Sequence, residues 1–139
     1  MGKDMNEHEE KTIAAFILKE KKDRYRFLLG SSDPKRRNEG VGRLNHCRDL
    51  NPKYVTWLPG GGDVLKLLRE AGSPEQVYLI SCSSSLDGKT LPLAKAVNDV
   101  EIMPKNGWGT IVSCIPGELA YYYDEEGERY AILQRKPGS

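Results

Sequence analysis

Hydrophobic positions recur along this chain with two different periods, and the switch between them separates a helical front from a mixed α/β rear. Ile13, Phe16 and Ile17, followed by Tyr25, Leu28 and Leu29, keep the three-to-four spacing of an amphipathic helix. The polar stretch KEKKDR between the two groups leaves two readings open, one long helix or two short ones. Gly30 then reads as a residue just past a helix end, and Ser31-Ser32-Asp33-Pro34 supplies a cap followed by proline for the next helix. That helix is expected over residues 34–48, with Asn51-Pro52 ending it. Gly40 and Gly42 inside it each cost about 1 kcal/mol relative to alanine.

From Tyr54 the apolar residues become contiguous and β-branched. Tyr54–Leu58 has strand composition between prolines, Gly60-Gly61-Gly62 makes a turn, and Asp63 caps a helix over Val64–Glu70. Ala71-Gly72-Ser73-Pro74 stops it, and Val77–Cys82 is apolar enough for a strand buried on both faces. Strand, helix and strand in this order predict a βαβ unit with a right-handed crossover and two parallel strands. A helix over Pro92–Asp99 follows. Thr110–Ile115, Leu119–Tyr123 and Arg129–Gln134 read as three short strands, the first two joined by the type II turn Ile115-Pro116-Gly117-Glu118. The expected architecture is α/β (α+β mixed): N-terminal helices, one βαβ unit and a C-terminal three-stranded antiparallel meander, forming a mixed sheet of about five strands. With 139 residues and no repeat or linker, the chain is expected to be one domain over 1–139, its residues 1–10 and 136–139 fraying.

Composition narrows the class without naming a function. Hydrophobic residues at 38% and charged residues at 29% are those of a globular protein, which argues against wholesale disorder. Apolar runs such as Ala14–Leu18 fall far short of the roughly 20 residues of a membrane span. The leader MGKDMNEHEEK has no apolar signal core, so a cytoplasmic protein without membrane contact is expected. Cys47, Cys82 and Cys114 form an odd set without CxxC spacing and are read as small buried hydrophobes in a reducing compartment. The only histidines, His8 and His46, have no metal-ligand spacing, so neither a metal nor a cofactor is expected.

The stretch Gln76–Val97 concentrates the candidate chemistry. An apolar strand empties into Cys82, Ser83, Ser84 and Ser85, turns through Asp87-Gly88-Lys89, and restarts as a helical pattern. If the strands at 54–58 and 77–82 are parallel, their C-terminal ends share one edge of the sheet. Gly60, Gly61 and Gly62 would then face the 82–90 loop across a crevice offering amides, hydroxyls and Lys89 to a nucleotide or other anion. Against this, no GK[ST] follows the glycines, no GxGxxG occurs, and Asp63 puts a carboxylate where an anion would sit. The triple glycine also reads as an ordinary turn or an engineered loop replacement. Nucleophilic catalysis lacks a base near Cys82, and neither GxSxG nor SxxK is present. Asp87 is first of all a turn former. His46 and Asp49 share a helix face at i, i+3, a thin basis for a proton-transfer pair.

Charge supplies the competing site. Between Lys19 and Lys53 eleven Lys/Arg face five Asp/Glu, a net of +6, whereas the whole chain carries +1. Lys35, Arg36, Arg37, Arg43 and Arg48 lie in this segment with Tyr25, Phe27, Tyr54 and Trp57 interleaved, a mixture that suits an anionic protein surface or nucleic acid. Solvated helix faces give the same pattern. The leading expectation is a small binding or regulatory domain contacting protein or nucleic acid through this segment; the alternative is a small enzyme or a nucleotide- or anion-binding domain using the crevice. Tyr121-Tyr122-Tyr123 must place a tyrosine on each side of its strand, which raises a homo-oligomer formed through the meander.

Overall fold

The computed structural model describes residues 6–44, 49–58, 63–81, 83, 85–102, 109–124 and 129–135. Five α-helices and a six-stranded sheet are found among them: α1 (Glu7–Phe16), α2 (Lys22–Leu29), α3 (Pro34–Gly42), β1 (Val55–Trp57), α4 (Val64–Glu70), β2 (Gln76–Ser81), β3 (Thr90–Pro92), α5 (Leu93–Ile102), β4 (Thr110–Ile115), β5 (Leu119–Asp124) and β6 (Arg129–Gln134). The mixed α/β class and the β4–β5–β6 meander are as the sequence predicts. Gly117 adopts φ +73 in the turn between β4 and β5, the left-handed conformation a type II turn demands.

The front of the chain resolves into short helices for identifiable reasons. Asn6 opens α1 by accepting the His8 N–H at 2.7 Å, so residues 6–10, expected to fray, are instead a capped helix start. The apolar spacing runs on through Ile17, but Ile17 leaves the helix to bridge Leu50, and the Leu18 N–H donates to the Asp49 carbonyl. A 3₁₀ turn at Lys19–Lys21 then leads into α2. Gly30 ends α2 with φ −79, a right-handed cap rather than the left-handed residue its position suggests. Asp33 caps α3 through the Lys35 N–H with Pro34 at the first helical position. The helix stops at Gly42, short of the predicted end, and residues 45–48 lie outside the described set.

The sheet order β1-β6-β5-β4-β2-β3 corrects the βαβ reading, because every neighbouring pair is antiparallel. β1 and β2 do run in the same direction, yet β6, β5 and β4 lie between them. At about 4.8 Å per strand spacing their C-terminal ends stand roughly 19 Å apart. A sixth strand comes from Thr90–Pro92, which pairs along β2 and which the sequence assigned to loop and helix.

Helices cover both faces of this antiparallel sheet. Tyr78, Ile80, Ile111, Ala120, Tyr122 and Leu133 pack under the α1–α3 layer with Ile13, Phe16, Tyr25, Leu29 and Val41. The alternate residues Val77, Leu79, Val112, Cys114, Tyr121 and Ile132 pack against Val64 and Leu68 of α4 and Leu93, Ala96 and Val100 of α5. All three tyrosines at 121–123 are buried, so none of them is presented to a second copy. Cys114 sits within this layer, where burial pushes its thiol up to about 11 and makes it the inert hydrophobe expected. Among the described residues, no helix is long and apolar enough to cross a membrane.

The two glycines of α3 have opposite roles. A Cβ on Gly40 would lie 2.9 Å from Leu28 Cβ and 3.0 Å from Leu29 Cδ2, so its absence lets α3 close on α2. A Cβ on Gly42 would meet nothing within 4 Å. Gly40→Ala should therefore lose roughly 1–3 kcal/mol of stability in urea unfolding through overpacking. Gly42→Ala should gain up to about 1 kcal/mol from helix propensity. Equal effects from the two substitutions would contradict this packing.

Candidate functional site

Two polar side chains on the face of the sheet beneath α1 begin the constellation. Tyr78 of β2 and Ser113 of β4 are cross-strand partners, and both reach toward the first turn of α1. The Tyr78 hydroxyl donates to Glu9 Oε2, while Ser113 Oγ lies 2.7 Å from His8 Nδ1. The His8 ring also stacks on the Tyr78 ring at 5.3 Å between centroids and 14° between planes. These contacts satisfy a fully buried serine and a glutamate that is only 2% exposed. Burial and the Glu9 carboxylate push the Tyr78 phenol well above its ordinary value, so it remains a donor.

Arg37 of α3 completes the network. Its Nη1 and Nη2 donate to the two Glu9 oxygens at 2.9 and 3.0 Å, and its Nε and Nη2 donate to the two Asp87 oxygens at 2.6 and 2.9 Å. Nη1 also reaches the Leu29 carbonyl at 3.3 Å. Asp87 in turn accepts the Ser81 N–H at 3.0 Å, and Gly88 turns the chain with φ +76 so that Lys89 returns along β2. Hydrogen bonding to Asp87 and Glu9 outweighs burial and raises the guanidinium above its already high ordinary value. The side chain is 12% exposed, so one cation of the basic segment is committed to the interior.

The sequence-predicted residues separate accordingly. Asp87 is a structural acceptor rather than a free carboxylate, and Arg37 faces inward instead of joining Lys35 and Arg36 on the surface. Arg43 pairs with Glu39 at 3.5 Å, and Glu39 is shared with Arg24 at 3.1 Å. Lys35 and Arg36 are exposed, with the Arg36 guanidinium 5.3 Å above the ring of Phe27, itself 57% exposed. Ser83 and Ser85 bond each other through their hydroxyls at 2.9 Å, and the Ser83 N–H donates to Ser81 Oγ. Gly60, Gly61, Gly62, Cys82, Ser84 and Arg48, together with His46, lie outside the described residues.

On the outer side of the 83–89 loop, β3 and α5 border an open groove of about 390 Å³. Ser85 and Lys89 line it from the loop; Lys95 and Asp99 of α5 bring a further ammonium and a carboxylate, 3.0 Å apart. Among the described residues, no group of three or more His, Cys, Asp or Glu side chains is arranged to hold a metal ion.

Glu9 and Arg37 are the buried ion pair that the pattern of apolar residues hides. Both occupy core positions of their helices: Glu9 precedes Ile13 by four residues and Phe16 by seven, and Arg37 precedes Val41 by four. A charge on each of two apolar stripes is the legible signal, and opposite signs point to pairing. Comparison of the chain with models of protein families, with characterised proteins and with solved structures finds no match.

His8 makes the docking of α1 sensitive to pH. Burial, opposed by Glu7, holds its imidazole below the ordinary value. The unfolded chain therefore binds this proton first as the pH falls, so the contribution is intact above about 6.5 and lost on acidification below it. Urea midpoints should fall between pH 7 and 5.5 in the parent protein, and less steeply in His8→Gln. Parallel curves would remove His8 from the account.

Proposed function

We propose that this chain is a cytoplasmic binding domain that docks a protein partner through the outer face of α2 and α3. The observation that carries the reading is Phe27, more than half exposed with the Arg36 guanidinium stacked on its ring. Aromatic and arginine side chains dominate the energetics of protein interfaces, and an exposed phenylalanine with a guanidinium stacked on it joins the two residue types that most often anchor them. Lys35 beside Arg36 biases the partner toward an acidic surface with an apolar centre.

Charge accounting inside the fold favours a protein over a polynucleotide. The acidic first turn of α1 folds onto the basic segment: Glu10 pairs with Arg26 at 2.9 Å, and Glu9 pairs with Arg37. Asp23 adds a second acid to Arg26, and Glu39 is shared by Arg24 and Arg43, so four arginines of the segment are engaged within the fold and fewer cations are left for a phosphate backbone. A binding role also suits the central network, whose serine, tyrosine and carboxylates are already engaged with one another. The crevice required by the competing enzyme or nucleotide reading has its two walls starting at strands separated by three others.

A photo-crosslinking residue at position 27 identifies the partner, and titration calorimetry with that purified protein measures the contact. Phe27→Ala and the pair Lys35→Glu with Arg36→Glu should each weaken binding by at least about tenfold. Arg37 is left unchanged because it holds the fold. Unaltered affinity excludes this face. Salt-dependent retention of the parent on immobilised nucleic acid, abolished by the charge reversals, would instead assign the face to a polynucleotide.

A further inference from the structure

The groove beside β3 shares no lining residue with the α2–α3 face. Its lining is divided by chemistry: Leu86, Leu91 and Ile102 are apolar, and Ile102 is 69% exposed to solvent. Lys89 and Lys95 supply two positive charges against the single negative charge of Asp99. Asp99 is bonded to Lys95 at 3.0 Å, whereas Lys89 forms no ion pair with any described residue. Among the described residues this leaves one uncompensated positive charge beside an apolar surface, complementary to one negative charge on an apolar body. A volume of about 390 Å³ lies at the small end of ligand sites.

We propose that this groove binds a small amphipathic monoanion, an organic carboxylate with a short aliphatic chain or single ring, its carboxylate at Lys89 and its body along Leu86, Leu91 and Ile102. A dianion such as phosphate suits it less, because among the described residues the groove is lined by no arginine and one of its two ammonium groups is already held by Asp99. The loop that brings Ser85, Leu86 and Lys89 to the groove is fixed from behind by Asp87 and Arg37, which lowers the ordering cost of that wall.

Titration of the isotopically labelled full chain with octanoate, followed by amide NMR, tests the proposal, with acetate, octylammonium and inorganic phosphate as comparison probes. Octanoate should give saturable shifts centred on Leu86, Lys89, Leu91 and Ile102, with little response to the other three. Lys89→Gln, at an exposed position, should weaken octanoate by roughly fivefold or more while leaving the rest of the spectrum in place. Asp99→Asn should tighten it, because that substitution releases Lys95; a merely structural role for Asp99 predicts no tightening. Equal binding of octylammonium, stronger binding of phosphate, shifts centred elsewhere, or no saturable shift each overturns the assignment.

Discussion

One guanidinium holds the α1–α3 layer to the sheet and to the loop beyond it. Arg37 projects from α3, takes Glu9 from α1 on one side and Asp87 from the loop after β2 on the other, and so joins three segments distant in sequence. Two carboxylates around one cation leave an excess negative charge, and neutral donors offset it: the Tyr78 hydroxyl on Glu9 and the Ser81 N–H on Asp87. Burying such a cluster carries a desolvation penalty that its internal attractions largely offset, so its net contribution is modest while its disruption is costly. That asymmetry specifies the docking of α1 and α3. Apolar residues alone would allow α1 to rotate or slide on the sheet, whereas the bidentate pairs accept one registration.

The same clamp takes part of the sequence's charge split out of the surface. The acids of the N-terminal turn and the bases of α2 and α3 are complementary halves of one interior and near-surface network. Lys19, Lys21, Lys35 and Lys53 stay exposed, and the Phe27–Arg36 pair stands among them as a patch whose character is set as much by the ring as by the charge. On the far side of the sheet's edge, the clamped loop turns its other surface toward α5. The helical layer therefore holds the loop that carries Ser85, Leu86 and Lys89 to the groove.

Much of the fold was legible in local patterns, and the errors share one cause. Caps at Asp33 and Asp63, the strand Gln76–Ser81 and the β4–β5–β6 meander follow from turn chemistry and apolar periodicity over a few residues. The pairing of β1 with β2 failed because a continuous apolar run reports only that both faces are covered, and antiparallel strands between two helical layers satisfy that as well as parallel ones. The helix break at Ile17 and the strand at Thr90–Pro92 depend on partners at Leu50 and on β2, which no local window contains. At the site, the sequence marks Asp87 and Arg37 as chemically notable but on different surfaces. Their contact spans fifty positions, and Glu9, the residue that explains it, was set aside as part of a fraying leader.

Equilibrium unfolding of Arg37→Met, alone and combined with Glu9→Gln and Asp87→Asn, tests the clamp most directly, with Arg36→Met as the surface control. Arg37→Met alone strands two carboxylates and should cost about 3–5 kcal/mol; neutralising both acids in the same chain should restore a large part of that loss. Arg36→Met should stay within roughly 0.5 kcal/mol of the parent. An Arg37→Met protein as stable as the Arg36→Met control, or a triple variant that has lost the sum of its parts, would contradict the claim that this guanidinium organises the fold.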